Sequence, residues 1–156
     1  MSEKRLITLV RNCPRVFICG NGGSAANAIH LANDWISVGI RAQALTADVA
    51  TLTAIANDFD YAEIFSRQIE VLGELGDLLV TLSGSGNSTN ILRAIYRARQ
   101  RKMRTFAIVG GYHREPPASA KASDQYVAAG KDMQSAEEAQ LRIGHMVMKA
   151  LKRRSA

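Results

Sequence analysis

Short apolar runs alternate with segments of helical spacing along most of the chain, and this alternation constrains the fold more than any other feature. RVFICG precedes SAANAIHLANDWIS, and RAQALTA precedes DVATLTAIAND and YAEIFSRQIEVLG. DLLVTLS is followed by STNILRAIYRARQ; then come RTFAIVGG, DQYVAAG and the closing segment SAEEAQLRIGHMVMKALKR. A strand that feeds a helix and then a parallel strand makes a right-handed crossover, and repeated crossovers cover both faces of the sheet. The expected class is therefore α/β, a three-layer sandwich with a central, mostly parallel sheet flanked by helices. Two helical stripes supply the expected core: Ala25, Ala28, Ile29, Ala32 and Ile36 in one segment, and Ile91, Ala94, Ile95 and Ala98 in another. A chain of 156 residues, 47% of them hydrophobic, can enclose one sizeable core, so one domain over 1–156 is expected. The stretch 110–118, with Pro116 and Pro117, reads as an irregular loop.

Twenty basic against 14 acidic residues give a formal net charge of +6. Much of the excess lies in two clusters, Arg97, Arg99, Arg101, Lys102 and Arg104, then Lys149, Lys152, Arg153 and Arg154. The second ends a helical segment, where cations complement the dipole. A solvated helix face accounts for both clusters, so nucleic acid is not an expected partner, while anionic substrates are favoured. No apolar run approaches the roughly 18 residues that span a bilayer, and MSEKRLITLV lacks a signal-peptide pattern, so no membrane association and a cytoplasmic location are expected. Cys13 and Cys19 have neither disulfide-framework nor C-x-x-C spacing, and Cys19 reads as a reduced, buried thiol.

In an open parallel sheet, ligands bind beyond the carboxyl ends of the strands, which draws attention to two loops. Gly20-Asn21-Gly22-Gly23-Ser24 closes the first strand and opens a helix, whose unpaired N–H groups can receive an anion. GNGGSA also fits the G-x-G-x-x-A dinucleotide fingerprint, with Asp48 either as the ribose-binding acid or as a helix N-cap. Ser83-Gly84-Ser85-Gly86-Asn87-Ser88 follows DLLVTL and precedes another helix, so hydroxyls and amides converge where a compact phosphate would sit. Charge-assisted hydrogen bonds contribute about 1.5–3 kcal/mol each, so a few of them can hold a phosphomonoester without a lysine or a metal. A plain turn with Ser88 as helix cap explains one hydroxyl and leaves Ser83 and Ser85 without a task.

Titratable pairs mark two of the helical segments. His30 and Asp34 lie four apart, one turn along the same face, which suits either an acid–base pair or a helix-stabilising contact. Near the C-terminus, Glu138 is seven residues from His145 and Glu137 eight, about 80° around the axis, so either carboxylate could face the histidine. A salt bridge to Arg142 for Glu138, or dipole complementation for Glu137, is the structural alternative. Trp35 is expected in the core or an interface, and His113 in solvent.

GNGGS and SGSGNS, with LTADVATLTAIANDFDYAEIFSRQIEVLGELGDLLVTLSGSGNSTNILRAI between and around them, resemble the sugar isomerase (SIS) family, in particular its bacterial sedoheptulose-7-phosphate isomerases. The likeness runs from about Val16 to Lys152. It implies a substrate-binding set of Asn21, Gly22, Gly23, Ser24, Asn57, Asp58, Ser83, Gly84, Ser85 and Ser88, with the phosphate on the three serines of the second loop. For Asn57 and Asp58, an Asx-turn between helices is the alternative. The resemblance also implies Asp34 as base and His145 as acid, with His30 and Glu137 as metal or orienting partners. Some members bind zinc through the matching positions, making His30, Asp34, Glu137 and His145 a candidate zinc set. This chain departs from the family at Asp34, one methylene shorter than the usual glutamate, and at Glu137, which replaces glutamine.

The implied activity is aldose–ketose isomerisation of a sugar phosphate, converting sedoheptulose 7-phosphate to D-glycero-D-manno-heptose 7-phosphate through an enediol, as in heptose and lipopolysaccharide biosynthesis. The implied assembly is a homotetramer with active sites at subunit interfaces, and no nucleotide cofactor is expected. Other readings are an isomerase of a different sugar phosphate, a non-catalytic SIS adaptor binding a partner such as the replication initiator, and a dinucleotide-binding oxidoreductase. An adaptor has no use for His30 and His145, and the oxidoreductase reading finds no second cofactor feature.

Overall fold

The computed structural model describes residues 2–152, which leaves Arg153 and Arg154 of the second basic cluster outside the described residues. Helix α1 (Ser2–Asn12) leads into β1 (Val16–Gly20), α2 (Gly23–Ile36), β2 (Ala42–Ala44) and α3 (Val49–Asp58). A 3-10 turn (Tyr61–Glu63) and α4 (Ser66–Leu72) follow, then β3 (Leu78–Ser83), α5 (Thr89–Gln100) and β4 (Arg104–Gly110). The short α6 (Ala118–Ala122), β5 (Gln125–Ala129) and the long α7 (Met133–Lys152) complete the chain. The five strands form one sheet in the order β2-β1-β3-β4-β5. Every pairing is parallel, as the alternation of strands and helices requires.

Strand residues alternate between two cores. Val16, Ile18, Leu78, Val80, Phe106 and Ile108 face one helix layer, formed by α1, α2 and α7, where Leu6, Leu31, Trp35, Ile143 and Val147 are buried. Phe17, Cys19 and Leu79 face the other, formed by α4 and α5 with Phe65, Ile69, Ile91, Ala94, Ile95 and Ala98. A period of two on the strands and of 3.6 on the helices thus builds the three layers.

Three expectations need correction. RAQALTA was expected to be a strand over its whole length, but only Ala42–Ala44 pairs with β1, because the chain then turns at Ala47 toward the helix that Asp48 caps. YAEIFSRQIEVLG, read as one helix, is broken at Ile64 and Phe65, whose side chains go into the core. On α2 the buried face is Ala28, Leu31, Ala32 and Trp35, whereas Ile29 is 45% and Ile36 57% exposed. That helix is apolar on two faces, and periodicity alone does not say which one meets the sheet. The α5 stripe is buried as expected.

The first basic cluster is tied into the scaffold as well as solvated. Arg97 pairs with Glu70 at 3.6 Å and Arg104 with Asp124 at 3.5 Å, while Arg101 donates to the Gly73 carbonyl at 3.0 Å. Both cysteines are free. Burial pushes the Cys13 thiol up to about 11 and raises that of Cys19, which is fully enclosed, so neither presents a thiolate at neutral pH.

The strand order places a topological switch between β1 and β3. The chain leaves β1 for the α2 layer and leaves β3 for the α5 layer, which opens a crevice at their carboxyl ends. GNGGS and SGSGNS are the two loops that flank it.

Candidate active site

Gly22 occupies φ 56°, ψ −125°, a region that excludes side chains, and this bend delivers Gly23 to the first turn of α2. The Glu137 carboxylate lies against Gly23, where any added Cβ would collide with it. Glu137 therefore points at the N-terminus of α2, a place where negative charge gains about 0.3–1 kcal/mol. Glu138 is exposed. With a protein carboxylate already at that helix end, a further anion is less favoured there than at the second loop. Ser24 is buried; its hydroxyl accepts from Gln140 Nε2 at 3.0 Å, and Asn27 donates to Gln140 Oε1 at 2.9 Å. This polar network fixes the register of α2 against α7.

The serine loop is braced before any ligand arrives. Ser83 Oγ accepts from the Gly86 amide at 3.0 Å and Ser85 Oγ from the Asn87 amide at 3.3 Å. Gly86 has φ 65° and its carbonyl accepts from the Ser119 amide at 2.8 Å, while Asn87 Oδ1 accepts from the Ala118 amide at 3.0 Å. Ser88 stands at the N-cap of α5 without a side-chain capping bond, so its hydroxyl and the first amides of α5 can be offered to an anion. His113, expected in solvent, is instead half-buried: its Nε2 lies 3.1 Å from the Gly84 carbonyl and its ring 4.5 Å from that of Tyr112. The carbonyl accepts, so His113 carries the proton on Nε2 in this contact.

Asn57 and Asp58 end α3, exposed and bonded to each other at 2.9 Å. Three residues on, the Tyr61 hydroxyl donates to Asn21 Oδ1 at 3.1 Å, tethering this turn to the first loop. Asp48 caps α3, accepting from the Thr51 hydroxyl at 2.6 Å and the Thr51 amide at 3.2 Å. Those bonds, the hydroxyl foremost, hold its carboxyl below the usual carboxylate pKa and give both its oxygens a local task.

Two helices bring three chemically active side chains to one point. His30 Nε2 is 3.0 Å from His145 Nε2, and Asp34 Oδ2 is 3.4 Å from the first and 3.2 Å from the second. Asp34 thus reaches both imidazoles despite its short side chain. Only one proton fits between two facing imidazole nitrogens at this separation, so one nitrogen donates and the other accepts. The triad also fits a metal. Donors about 2.0–2.1 Å from a tetrahedral ion lie roughly 3.3 Å apart, close to the three edges observed, and two imidazoles with one carboxylate leave a fourth position open, as in catalytic zinc sites. Glu137, the expected fourth ligand, is not in this group, since its carboxylate is held at Gly23.

The residues that sequence reasoning missed are polar ones on buried faces. Asn27 and Gln140 fall within the buried phases of α2 and α7, and Asn90 is 3% exposed beside Ile91. A polar residue inside an apolar stripe was the available signal.

A family model described as SIS domain matches residues 4–110 of this sequence. The chain belongs to the SIS domain family. Among curated relatives, this SIS chain is 44% identical over 111 residues to the phosphoheptose isomerase of Aromatoleum aromaticum, covering 67% of the chain and 56% of the relative. It is 48% identical over 102 residues to that of Desulfovibrio desulfuricans, covering 62% and 49%. The SIS chain thus spans about half the length of the curated relatives it matches. Among solved structures, a phosphoheptose isomerase from Neisseria gonorrhoeae superposes with a TM-score of 0.87 at 32% identity, over 96% of this chain and 85% of the other. One from Francisella tularensis gives 0.89 at 27% identity, over 98% and 85%.

Proposed function

We propose that this SIS chain is an aldose–ketose isomerase of sugar phosphates that interconverts sedoheptulose 7-phosphate and D-glycero-D-manno-heptose 7-phosphate through an enediol. The convergence of His30, Asp34 and His145 carries the reading, because aldose–ketose exchange needs a base and an acid at adjacent carbons. The serine loop holds the phosphate and fixes the register of the sugar. Asp34 removes a proton from the carbon next to the carbonyl; its Oδ2 faces the imidazoles, which leaves Oδ1 for this transfer. His145 supplies the proton to the carbonyl oxygen, and His30 orients both partners. Asp34, whose proton can exchange with solvent in the enediol state, then protonates the neighbouring carbon while the hydroxyl of the first carbon gives its proton to His145, so the reaction is balanced without a nucleotide cofactor.

His30, Asp34 and His145 would also hold zinc. Bound there, zinc would supply polarisation of the carbonyl in place of the proton on His145 Nε2. Proton and metal exclude each other at that nitrogen, so metal-free and metal-loaded forms should differ in activity. Zinc at 100 times its Kd should stabilise the fold by about 2.7 kcal/mol, read as a rise in Tm that His145→Gln removes. An unchanged Tm when zinc is added to chelator-stripped wild-type protein would count against a metal at these residues.

A homotetramer with active sites at subunit interfaces fits two features of the single chain. His30 and His145 are 49% and 39% exposed, too open to exclude water from an enediol. Helix α3 has no buried residue although it carries Val49, Leu52 and Ile55, and it borders an apolar groove of about 810 Å³ with Ile29, Ile36 and Val71. None of the triad lines that groove. No described helix is long and apolar enough to cross a membrane, and free thiols suit the cytoplasm. Turnover of sedoheptulose 7-phosphate by the purified chain tests the proposal, with other ketose phosphates as competitors for the role. Turnover of one of those alone would transfer the same mechanism to another sugar.

A further inference from the structure

Asn21 belongs to the expected substrate-binding set, but its side chain is already engaged. Its Oδ1 accepts from Asn90 Nδ2 at 2.8 Å and from the Tyr61 hydroxyl at 3.1 Å, while its Nδ2 donates to Asn90 Oδ1 at 2.9 Å. An amide oxygen has two lone pairs, and both are used here, so only one N–H of Asn21 remains for a ligand. The three residues come from three segments: the loop after β1, the turn after α3, and the first turn of α5 behind the serine loop. The Asn21–Asn90 pair spans the crevice between β1 and β3. Asn90 is 3% exposed and sits next to Ile91, which is fully buried, so one end of the pair is fixed in the core.

We propose that Asn90 and Tyr61 are positioning residues for the isomerisation, acting through Asn21 to hold the β1 loop at a set distance from the serine loop. The proposal rests on the isomerase reading of the site. In that reading the phosphate is anchored on the α5 side of the crevice, while Asp34 stands on α2, which starts at the β1 loop. A substrate fixed at one end presents its reacting carbons correctly only if these two parts keep their relation, and small misplacements are costly in rate. Tyr61 is 59% exposed, so its hydroxyl contributes to this relation rather than to filling the core.

Steady-state kinetics on sedoheptulose 7-phosphate tests this, with inorganic phosphate as competitive inhibitor to report on the serine loop alone. Asn90→Ala should lower kcat by about 10–100-fold and Tyr61→Phe by about threefold to tenfold. The inhibition constant for phosphate should stay within about twofold in both, a split that general loosening of the fold would not produce. Asn21→Ala combined with Asn90→Ala should be no worse than the more damaging single change, because both break one unit. Multiplicative losses, or parallel changes in kcat and phosphate inhibition, would overturn the proposal; so would wild-type kcat in Tyr61→Phe, which also serves if Asn90→Ala does not fold. Absence of turnover in the wild-type protein would count against the isomerase reading instead. Hydrogen exchange then decides the tether by itself: Tyr61→Phe should speed exchange across residues 20–24, and unchanged rates there would refute it.

Discussion

Replacing Asp34 with asparagine is expected to lower turnover of sedoheptulose 7-phosphate by about 10²–10⁴-fold, the contribution typical of a positioned acid–base group. Asparagine has nearly the same shape and keeps an oxygen to face the histidines, so the α2–α7 packing should survive and Tm should shift little. What disappears is the carboxylate that reaches His30 Nε2 at 3.4 Å and His145 Nε2 at 3.2 Å. Inhibition by inorganic phosphate should also persist, since the serine loop is untouched. A variant that keeps more than a tenth of wild-type kcat would show that Asp34 is not the base.

Gly144→Val should damage both stability and catalysis, although residue 144 is buried and not one of the triad. Gly144 is buried on α7 where that helix meets α2, and an added Cβ would collide with the Leu31 side chain. Trp35 Nε1 donates to the Gly144 carbonyl at 3.0 Å, which pins the crossing. Leu31 and Gly144 are the immediate neighbours of His30 and His145, so forcing the helices apart widens the 3.0 Å gap between the two imidazoles. Overpacking costs about 1–3 kcal/mol, which for a chain of this size lowers Tm by roughly 2–12 °C. Alanine would regain up to about 1 kcal/mol of helix propensity and is the weaker test. Turnover should fall by about tenfold or more, because the triad works only when both helices present it together. Adding Leu31→Ala should restore part of both losses; a Gly144→Val protein with native Tm and kcat would contradict this account of the helix crossing.

The layers of the fold were legible because strand and helix periods alternate without interruption, and the α5 stripe Ile91, Ala94, Ile95 and Ala98 is buried as its spacing indicates. The α2 stripe misled, since Ile29 and Ile36 lie on a second apolar face of the same helix. Pairing of His30 with Asp34 could be read from i,i+4 spacing, but their meeting with His145 depends on how α7 crosses α2, a long-range relation that no local pattern encodes. Whether Glu137 or Glu138 faced the histidine stayed open for the same reason. The answer is neither: Glu137 turns to the N-terminus of α2, at the side-chain-free position of Gly23, and Glu138 is exposed. His113 and Asn90 were invisible as site neighbours because their partners, Gly84 and Asn21, are 29 and 69 residues away.

The most direct measurement is to incubate the purified protein with sedoheptulose 7-phosphate in D₂O and follow the sugar by ¹H NMR, with and without added zinc. Proton transfer through an enediol predicts an aldose heptose 7-phosphate carrying deuterium at C2, formed by the wild-type protein and not by Asp34→Asn. A ketose recovered unchanged and free of deuterium under both conditions would contradict the assignment of His30, Asp34 and His145 as an isomerase centre.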